Sequence, residues 1–97
     1  MDTPGIDQAE ADIRRADRAR IFMEEGIFQD AWQALEEMLT EQWRKSPASS
    51  PEIREEAYRT LRAMDGLRNV LDGFVQSGVM ARYSLEQTKV DALVSGQ

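Results

Sequence analysis

Two residue types are missing from the 97-residue sequence, cysteine and histidine. Without cysteine, the chain can form neither a disulfide nor a thiolate metal site. Without histidine, it lacks the side chain that serves most often as a general base in enzymes and as a metal ligand in proteins. Both absences argue against an enzyme or a metalloprotein. We predict that the chain has no catalytic residue, no bound metal and no cofactor.

Sequence patterns of nucleotide binding and of serine catalysis are missing as well. The glycines form no cluster that could cradle a phosphate, and no serine stands in a Gly-x-Ser-x-Gly pattern. Three Glu-Glu pairs do occur, but neighbouring residues of a helix point about 100° apart, so a pair alone forms no acid/base site. A di-metal helical bundle would add Glu-x-x-His motifs to such carboxylates. We interpret these acids as a solvated surface and expect no small-molecule substrate.

Long hydrophobic runs are also missing, since no stretch approaches the ~18 apolar residues of a membrane span. The sequence opens with Met1 and Asp2, an acidic start where a signal peptide carries basic residues. We therefore expect an intracellular protein that does not contact a membrane.

Acidic residues outnumber basic ones by 18 to 12, which gives a formal net charge of −6. This balance argues against a general nucleic-acid-binding protein, because phosphate binding needs clustered lysine and arginine. The hydrophobic fraction of 41% and the charged fraction of 31% are typical of a folded, soluble chain. We predict one helical domain over residues 1–97. A domain of this size buries only roughly 60–65% of its unfolded surface, so a partner chain would add stability.

The longest helical pattern covers residues 51–77. Pro51 suits the first helical position after an N-cap at Ser50, and Gly78 suits a left-handed C-terminal cap. Between them, apolar residues recur at steps of three and four and therefore share one face: Ile53, Ala57, Leu61, Met64, Leu67, Leu71, Phe74 and Val75. The pattern continues through Gly66, which we interpret as a close contact between helices.

Three further helices are predicted, over about residues 6–25, 27–45 and 84–94. Gly26 separates the first two, and a linker rich in proline and serine, residues 46–50, precedes the longest helix. Because this linker is short, the helices on either side of it should lie antiparallel. We predict an all-α fold, an antiparallel helical hairpin with an N-terminal helix packed across it and a short C-terminal helix.

The large apolar residues of the hairpin are expected to form its core. We assign Trp32, Met38 and Met64 to this core. For Trp43 and Met80, which lie near predicted helix ends, an exposed contact and burial remain equally open. Across the hairpin we expect two sets of side chains to face each other: Leu61, Leu71 and Phe74 on one helix, and Trp32, Leu35 and Leu39 on the other.

Four arginines of the first helix form the one dense basic patch of the sequence: Arg14, Arg15, Arg18 and Arg20. They are candidates for contact with a phosphate or an acidic partner. Acids such as Asp12 and Asp17 lie close by in the sequence and largely neutralise the patch. We therefore favour a solvated face.

Apolar side chains near the end of the 51–77 helix lack a predicted cover. The 27–45 helix is shorter than its hairpin partner, and the first helix offers mainly alanine. An exposed, contiguous apolar patch is typical of an interaction surface. We predict that seven residues contact a protein partner, either a second copy of the chain or another structural protein: Val70, Phe74, Val75, Val79, Met80, Tyr83 and Leu85.

Several short segments carry a resemblance: Arg18-Ala19-Arg20, the helix with Phe28, Ala31, Leu35 and Glu36, Trp43-Arg44 with Ser46-Pro47, Arg54-Glu55-Glu56, and Gly78 with Met80-Ala81. Together they resemble small helical proteins encoded in the virion-morphogenesis gene clusters of tailed bacteriophages and prophages. The resemblance covers residues 18–81. It implies a role in protein–protein contacts of the head or packaging machinery, in the host cytoplasm or in the virion. It supplies no catalytic residue.

The leading hypothesis is a non-enzymatic structural or assembly protein of a phage particle that acts through repeated copies. Two alternatives remain open. A DNA-packaging factor like a small terminase subunit would use the arginine patch. A small acidic inhibitor of a host nucleic-acid-binding protein would need acids gathered on one outward surface, whereas here bases are interleaved with them.

Overall fold

Three α-helices account for nearly all of residues 4–96, the part of the chain that the computed structural model describes. Helix α1 runs over Pro4–Glu24, α2 over Gly26–Arg44 and α3 over Pro51–Ser95. No strand occurs among these residues. The predicted all-α class is confirmed.

Glu25 separates α1 from α2. Its backbone is extended, with φ −66° and ψ 128°, and its carboxylate accepts hydrogen bonds from the backbone N–H groups of Ile27, at 2.6 Å, and Phe28, at 3.3 Å. These donors have no partner within the first turn of α2, and the negative charge suits the N-terminus of a helix. The break therefore depends on Glu25, whereas Gly26 is already helical and has no positive φ.

Hydrogen bonds within residues 45–50 define the connection from α2 to α3. The Ser46 hydroxyl donates to the Trp43 carbonyl at 2.7 Å, and the Ser50 N–H donates to the Pro47 carbonyl at 3.0 Å. Pro51 then begins α3, a position where its missing N–H would have had no intrahelical partner.

Helix α3 continues through Gly78 without a break, so the predicted stop at this glycine and the separate helix over 84–94 are wrong. The helix is 45 residues long, and Gly78 does not have a positive φ. A glycine inside a helix costs only about 1 kcal/mol relative to alanine, and no proline follows it. The Thr88 hydroxyl donates to the Ser84 carbonyl one turn earlier, at 2.9 Å, as in an unbroken helix.

The chain divides into two compact units. One contains Met23–Val70, which includes α2 and the beginning of α3. The other contains Met1–Phe22 and Leu71–Gln97, of which residues 4–22 and 71–96 are described.

Large side chains form the core of the unit Met23–Val70. Trp32 and Leu39 of α2 and Met64 of α3 are buried together, and Phe28 and Leu61 pack against them. Trp32 makes two ring contacts. The centroid of the Phe28 ring lies 5.5 Å from the centroid of the Trp32 ring, and the guanidinium carbon of Arg68 lies 5.0 Å from the Trp32 centroid. Such a cation–ring contact contributes ~0.5–1 kcal/mol at an exposed site.

Four core predictions differ from the structure. Met38 is 59% exposed and Leu35 is 37% exposed, so neither belongs to the buried cluster. Leu71 and Phe74 belong to the other unit, and there they lie beside Arg15 and Phe22. The predicted core positions are confirmed for four residues: Trp32, Leu39, Leu61 and Met64. The core is therefore smaller than the apolar pattern of α2 predicts.

Small side chains form the contact between α1 and α3 in the unit Met1–Phe22 with Leu71–Gln97. Ala9, Ala16 and Ala19 of α1 are buried, as is Ala81 of α3. At Gly78 the two helices approach so closely that a Cβ atom would collide with the Ala16 Cβ and lie 3.4 Å from the Asp12 carbonyl oxygen. Gly78 is thus the close-contact glycine of α3. The same prediction for Gly66 is wrong, because a Cβ atom there would meet nothing within 4 Å.

Substituting these two glycines should change stability in opposite directions. We expect Gly66→Ala to raise the free energy of unfolding by about 1 kcal/mol, since alanine is the better helix former. Gly78→Ala should lower it by ~1–3 kcal/mol, because the added methyl group forces the helices apart. Urea unfolding followed by circular dichroism measures both. An equal gain for both variants would contradict the close contact at Gly78.

The core of the unit Met23–Val70 can be tested in the same way with two neighbouring residues of α2. We expect Leu39→Ala to lower the free energy of unfolding by ~2–5 kcal/mol, since it leaves a cavity beside Trp32 and Met64. Met38→Ala is the matched control and should cost well under ~1 kcal/mol, because Met38 is exposed. Thermal unfolding of both variants gives the comparison. If Met38→Ala lowered the free energy of unfolding more than Leu39→Ala does, Met38 and not Leu39 would be the core residue of α2.

Candidate interaction surface

The four predicted arginines lie on exposed positions of α1, and two of them are held by acids. Arg15 pairs with Asp12 at 3.3 Å, and Arg20 pairs with Asp17 at 3.1 Å. Asp17 also accepts from Arg82 of α3, with both of its carboxylate oxygens at 3.3 Å from the same guanidinium nitrogen. These acids offset much of the positive charge that a phosphate would need.

Arg15 also covers Phe74, one of the residues predicted to contact a partner. The guanidinium carbon lies 4.4 Å from the centroid of the Phe74 ring, and Phe74 is half-buried. Arg15 and Arg18 border a cleft of about 270 Å³. Its remaining walls are apolar: Ala19, Phe22, Leu71 and Phe74. The structure thus brings two of the predicted arginines together with a predicted apolar contact residue.

The other predicted contact residues differ in exposure. Val70, Val79, Met80 and Tyr83 are exposed, whereas Val75 and Leu85 are half-buried. Val70 lies in the unit Met23–Val70, and the other residues lie in the second unit. Three of the predicted contact residues are therefore exposed and follow Gly78 in α3: Val79, Met80 and Tyr83.

Three exposed apolar residues near the end of α3 are not among the predicted contact residues: Val90, Leu93 and Val94. A helix end was predicted at Gly78 and a new helix start at Ser84, so the spacing between apolar residues on the two sides of Ser84 was not compared. In one continuous helix, however, residues 79, 83, 90 and 94 return to the same face, since each residue adds about 100°. The helical periodicity of the apolar residues, continued without a break through residues 78–84, would have identified them.

We call this surface the C-terminal stripe and define it by six residues of α3: Val79, Met80, Tyr83, Val90, Leu93 and Val94. Their exposed fractions lie between 51% and 74%. The face of α3 that carries Gly78 and Ala81 contacts α1, and the C-terminal stripe is rotated by about 130° from Gly78. Met80, at one border of the stripe, lines a cleft with Gly5 and Ala9 of α1, and the rest of the stripe lies away from the Gly78 contact.

A second surface lies where α2 meets the linker. Met38, Pro47 and Ile53 line an open cavity of about 520 Å³ together with polar residues of α2. Glu41 and Lys45 on its border pair with each other at 3.0 Å. The exposed hydroxyl, carboxylate and ammonium groups here are ordinary surface groups, and we assign them no chemistry.

Residues 4–96 contain no group of three or more acidic side chains placed to hold a metal ion. In the same part of the chain, no helix is long and apolar enough to cross a membrane. No protein-family model, curated protein or solved structure matches the chain.

The arginine patch can be tested directly for nucleic-acid binding. Because Asp12 and Asp17 pair with Arg15 and Arg20, we expect duplex DNA to bind weakly at ~50 mM salt and not measurably at ~200 mM salt. Replacing Arg14, Arg15, Arg18 and Arg20 by glutamine should then change little. Fluorescence anisotropy of a labelled duplex measures the binding. Tight binding that persists at the higher salt concentration and is lost in the variant would contradict a solvated face.

Proposed function

We propose that this chain is a non-enzymatic structural or assembly protein of a tailed-bacteriophage particle. It acts through helix-mediated protein–protein contacts in the head or the packaging machinery, in the host cytoplasm or in the virion. The phage context of the proposal rests on the resemblance over residues 18–81. The mode of action rests on the exposed apolar surface of α3.

The observation that carries the mode of action is the C-terminal stripe. Six apolar side chains, each more than half exposed, lie along the last turns of a single helix, three before and three after Glu86 and Gln87. Scattered exposed apolar residues are common on soluble proteins, but a contiguous apolar patch is typical of an interaction surface. A partner that covers the stripe would bury apolar area at about 25 cal/mol per Å², the main source of affinity in such contacts.

The proposal includes an antiparallel hairpin for the unit Met23–Val70. Two contacts support this arrangement. Near the linker, Arg54 donates to the Pro47 carbonyl at 3.3 Å. Farther along both helices, Arg68 of α3 lies over Trp32 of α2. Arg54, near the start of α3, contacts a residue just after α2, and Arg68, farther along α3, contacts a residue in the first half of α2. This is the order of contacts in an antiparallel hairpin.

A DNA-packaging factor like a small terminase subunit is the less favoured function. It would need free cationic groups, but Arg15, Arg20 and Arg82 all pair with carboxylates. An acidic inhibitor that mimics nucleic acid is also less favoured, because Asp12 and Asp17 of α1 pair with arginines. Both functions would place the contact on charged groups, whereas the proposed function places it on apolar ones.

Quantitative mass spectrometry of purified particles and of their assembly intermediates tests the proposal. We expect the chain to occur in either fraction at several copies per particle. Met80→Asp, in the C-terminal stripe, should reduce incorporation at least tenfold, because it places a charge in an apolar contact. Thr88→Asp, on another face of α3, is the matched control and should be incorporated normally.

Absence of the chain from particles and intermediates, combined with normal particle yield after deletion of its gene, would overturn the proposed function. Equal incorporation of Met80→Asp and Thr88→Asp would instead exclude the C-terminal stripe as the contact and leave the phage role in place.

A further inference from the structure

The cleft of about 270 Å³ between α1 and α3 combines apolar walls with positive charge. All of its residues belong to the unit Met1–Phe22 with Leu71–Gln97. Four of them are apolar and two are arginines: Ala19, Phe22, Leu71 and Phe74, with Arg15 and Arg18. Among the described residues, no acid lines this cleft.

The guanidinium of Arg15 is held in place over one wall of the cleft. Its central carbon lies 4.4 Å from the centroid of the Phe74 ring, and its Nη2 atom donates to Asp12 at 3.3 Å. A guanidinium carries several N–H donors, and the bond to Asp12 uses one nitrogen only. Arg15 is thus positioned at the cleft and retains donors for a second carboxylate.

Arg18 supplies the charge that no carboxylate of the chain offsets. It is exposed and follows Arg15 by three residues, a spacing that makes the two arginines neighbours on the helix surface. Asp17 pairs with Arg20 and Arg82 instead, and within residues 4–96 Arg18 forms no ion pair. Like charges at this spacing are destabilising, so an anion between the two guanidiniums would relieve their repulsion.

We propose that this cleft binds an acidic segment of a partner protein, in which a large apolar side chain stands next to a carboxylate. The apolar side chain packs against Phe22 and Phe74, and the carboxylate accepts charge-assisted hydrogen bonds from Arg15 and Arg18. The inference goes beyond the proposed function, because none of the residues that line the cleft belongs to the C-terminal stripe.

The shape and the charge of the cleft select this kind of partner. Its volume of about 270 Å³ lies below the ~300–1,000 Å³ of typical small-molecule sites, and it therefore suits one side chain. A phosphate alone would leave Phe22, which is 49% exposed, uncovered. An uncharged apolar segment would take guanidinium groups out of water without a partner, which is costly. A segment that carries both groups satisfies both parts of the cleft.

A peptide titration followed by NMR tests the inference. The probe is the capped peptide Gly-Glu-Phe-Glu-Gly, and the methyl signals of Ala19 and Leu71 report on the cleft. We expect these signals to shift on titration, whereas those of Leu39 and Ala57, buried in the unit Met23–Val70, should not. Gly-Gln-Phe-Gln-Gly and Gly-Glu-Ala-Glu-Gly should each bind at least about fivefold more weakly, because one lacks the charge and the other the apolar ring.

Two arginine variants separate the cleft from general attraction by charge. Arg18→Gln should weaken binding of the probe by about tenfold, since it removes charge-assisted hydrogen bonds. Arg59→Gln is the matched control, because it changes the net charge equally at a side chain that is 77% exposed and does not line the cleft. It should leave binding unchanged. Circular dichroism verifies that both variants fold.

Several results would overturn the inference. The methyl signals of Ala19 and Leu71 could stay in place at millimolar concentrations of the probe. Inorganic phosphate could shift them as strongly as the probe does, which would show a site for anions alone. Equal binding of the glutamate and glutamine peptides would show that charge plays no part, and equal weakening by Arg18→Gln and Arg59→Gln would show unspecific attraction. None of these results bears on the phage role, which the particle experiments test separately.

Discussion

The close approach of α1 to α3 at Gly78 is the contact on which the unit Met1–Phe22 with Leu71–Gln97 depends. The buried side chains of α1 are alanines, which offer little apolar area each. Such a helix gains stability only if its backbone comes near its neighbour, because dispersion attraction falls steeply with distance. Gly78 permits this distance, and Ala16 occupies the space that a Cβ atom would need. The same contact decides which face of α3 is covered by α1 and which face remains open.

The two units use different means of packing. In Met23–Val70, Trp32, Leu39 and Met64 supply large buried surfaces, and the core tolerates some variation in backbone distance because long side chains adapt. In the other unit, small residues leave no such freedom. None of the buried residues within 4–96 is polar or charged, and the ion pairs are exposed, where each contributes ~0–1 kcal/mol. The chain is therefore held together by modest apolar contacts, and its largest apolar side chains are partly on the outside.

That distribution suits a protein whose structure is completed by others. The C-terminal stripe consists of six apolar side chains, and each is more than half exposed. Covering them would add apolar burial that the isolated chain lacks, so assembly and stability should be coupled. The net charge of −6 adds a mutual repulsion between copies of the chain.

The sequence by itself determined the helical class, the interruption near residues 25 and 26, and the start of α3 at Pro51, because these features depend on neighbours within one turn of the chain. Only the tertiary structure decided the role of Gly78. A glycine can end a helix or admit a second helix, and the choice depends on what packs against it, here Ala16 from a distant part of the sequence. The prediction that Met38 is buried failed for a related reason. Met38 and Leu39 both belong to the apolar pattern of α2, but only Leu39 packs with Met64 of α3, and Met38 is exposed.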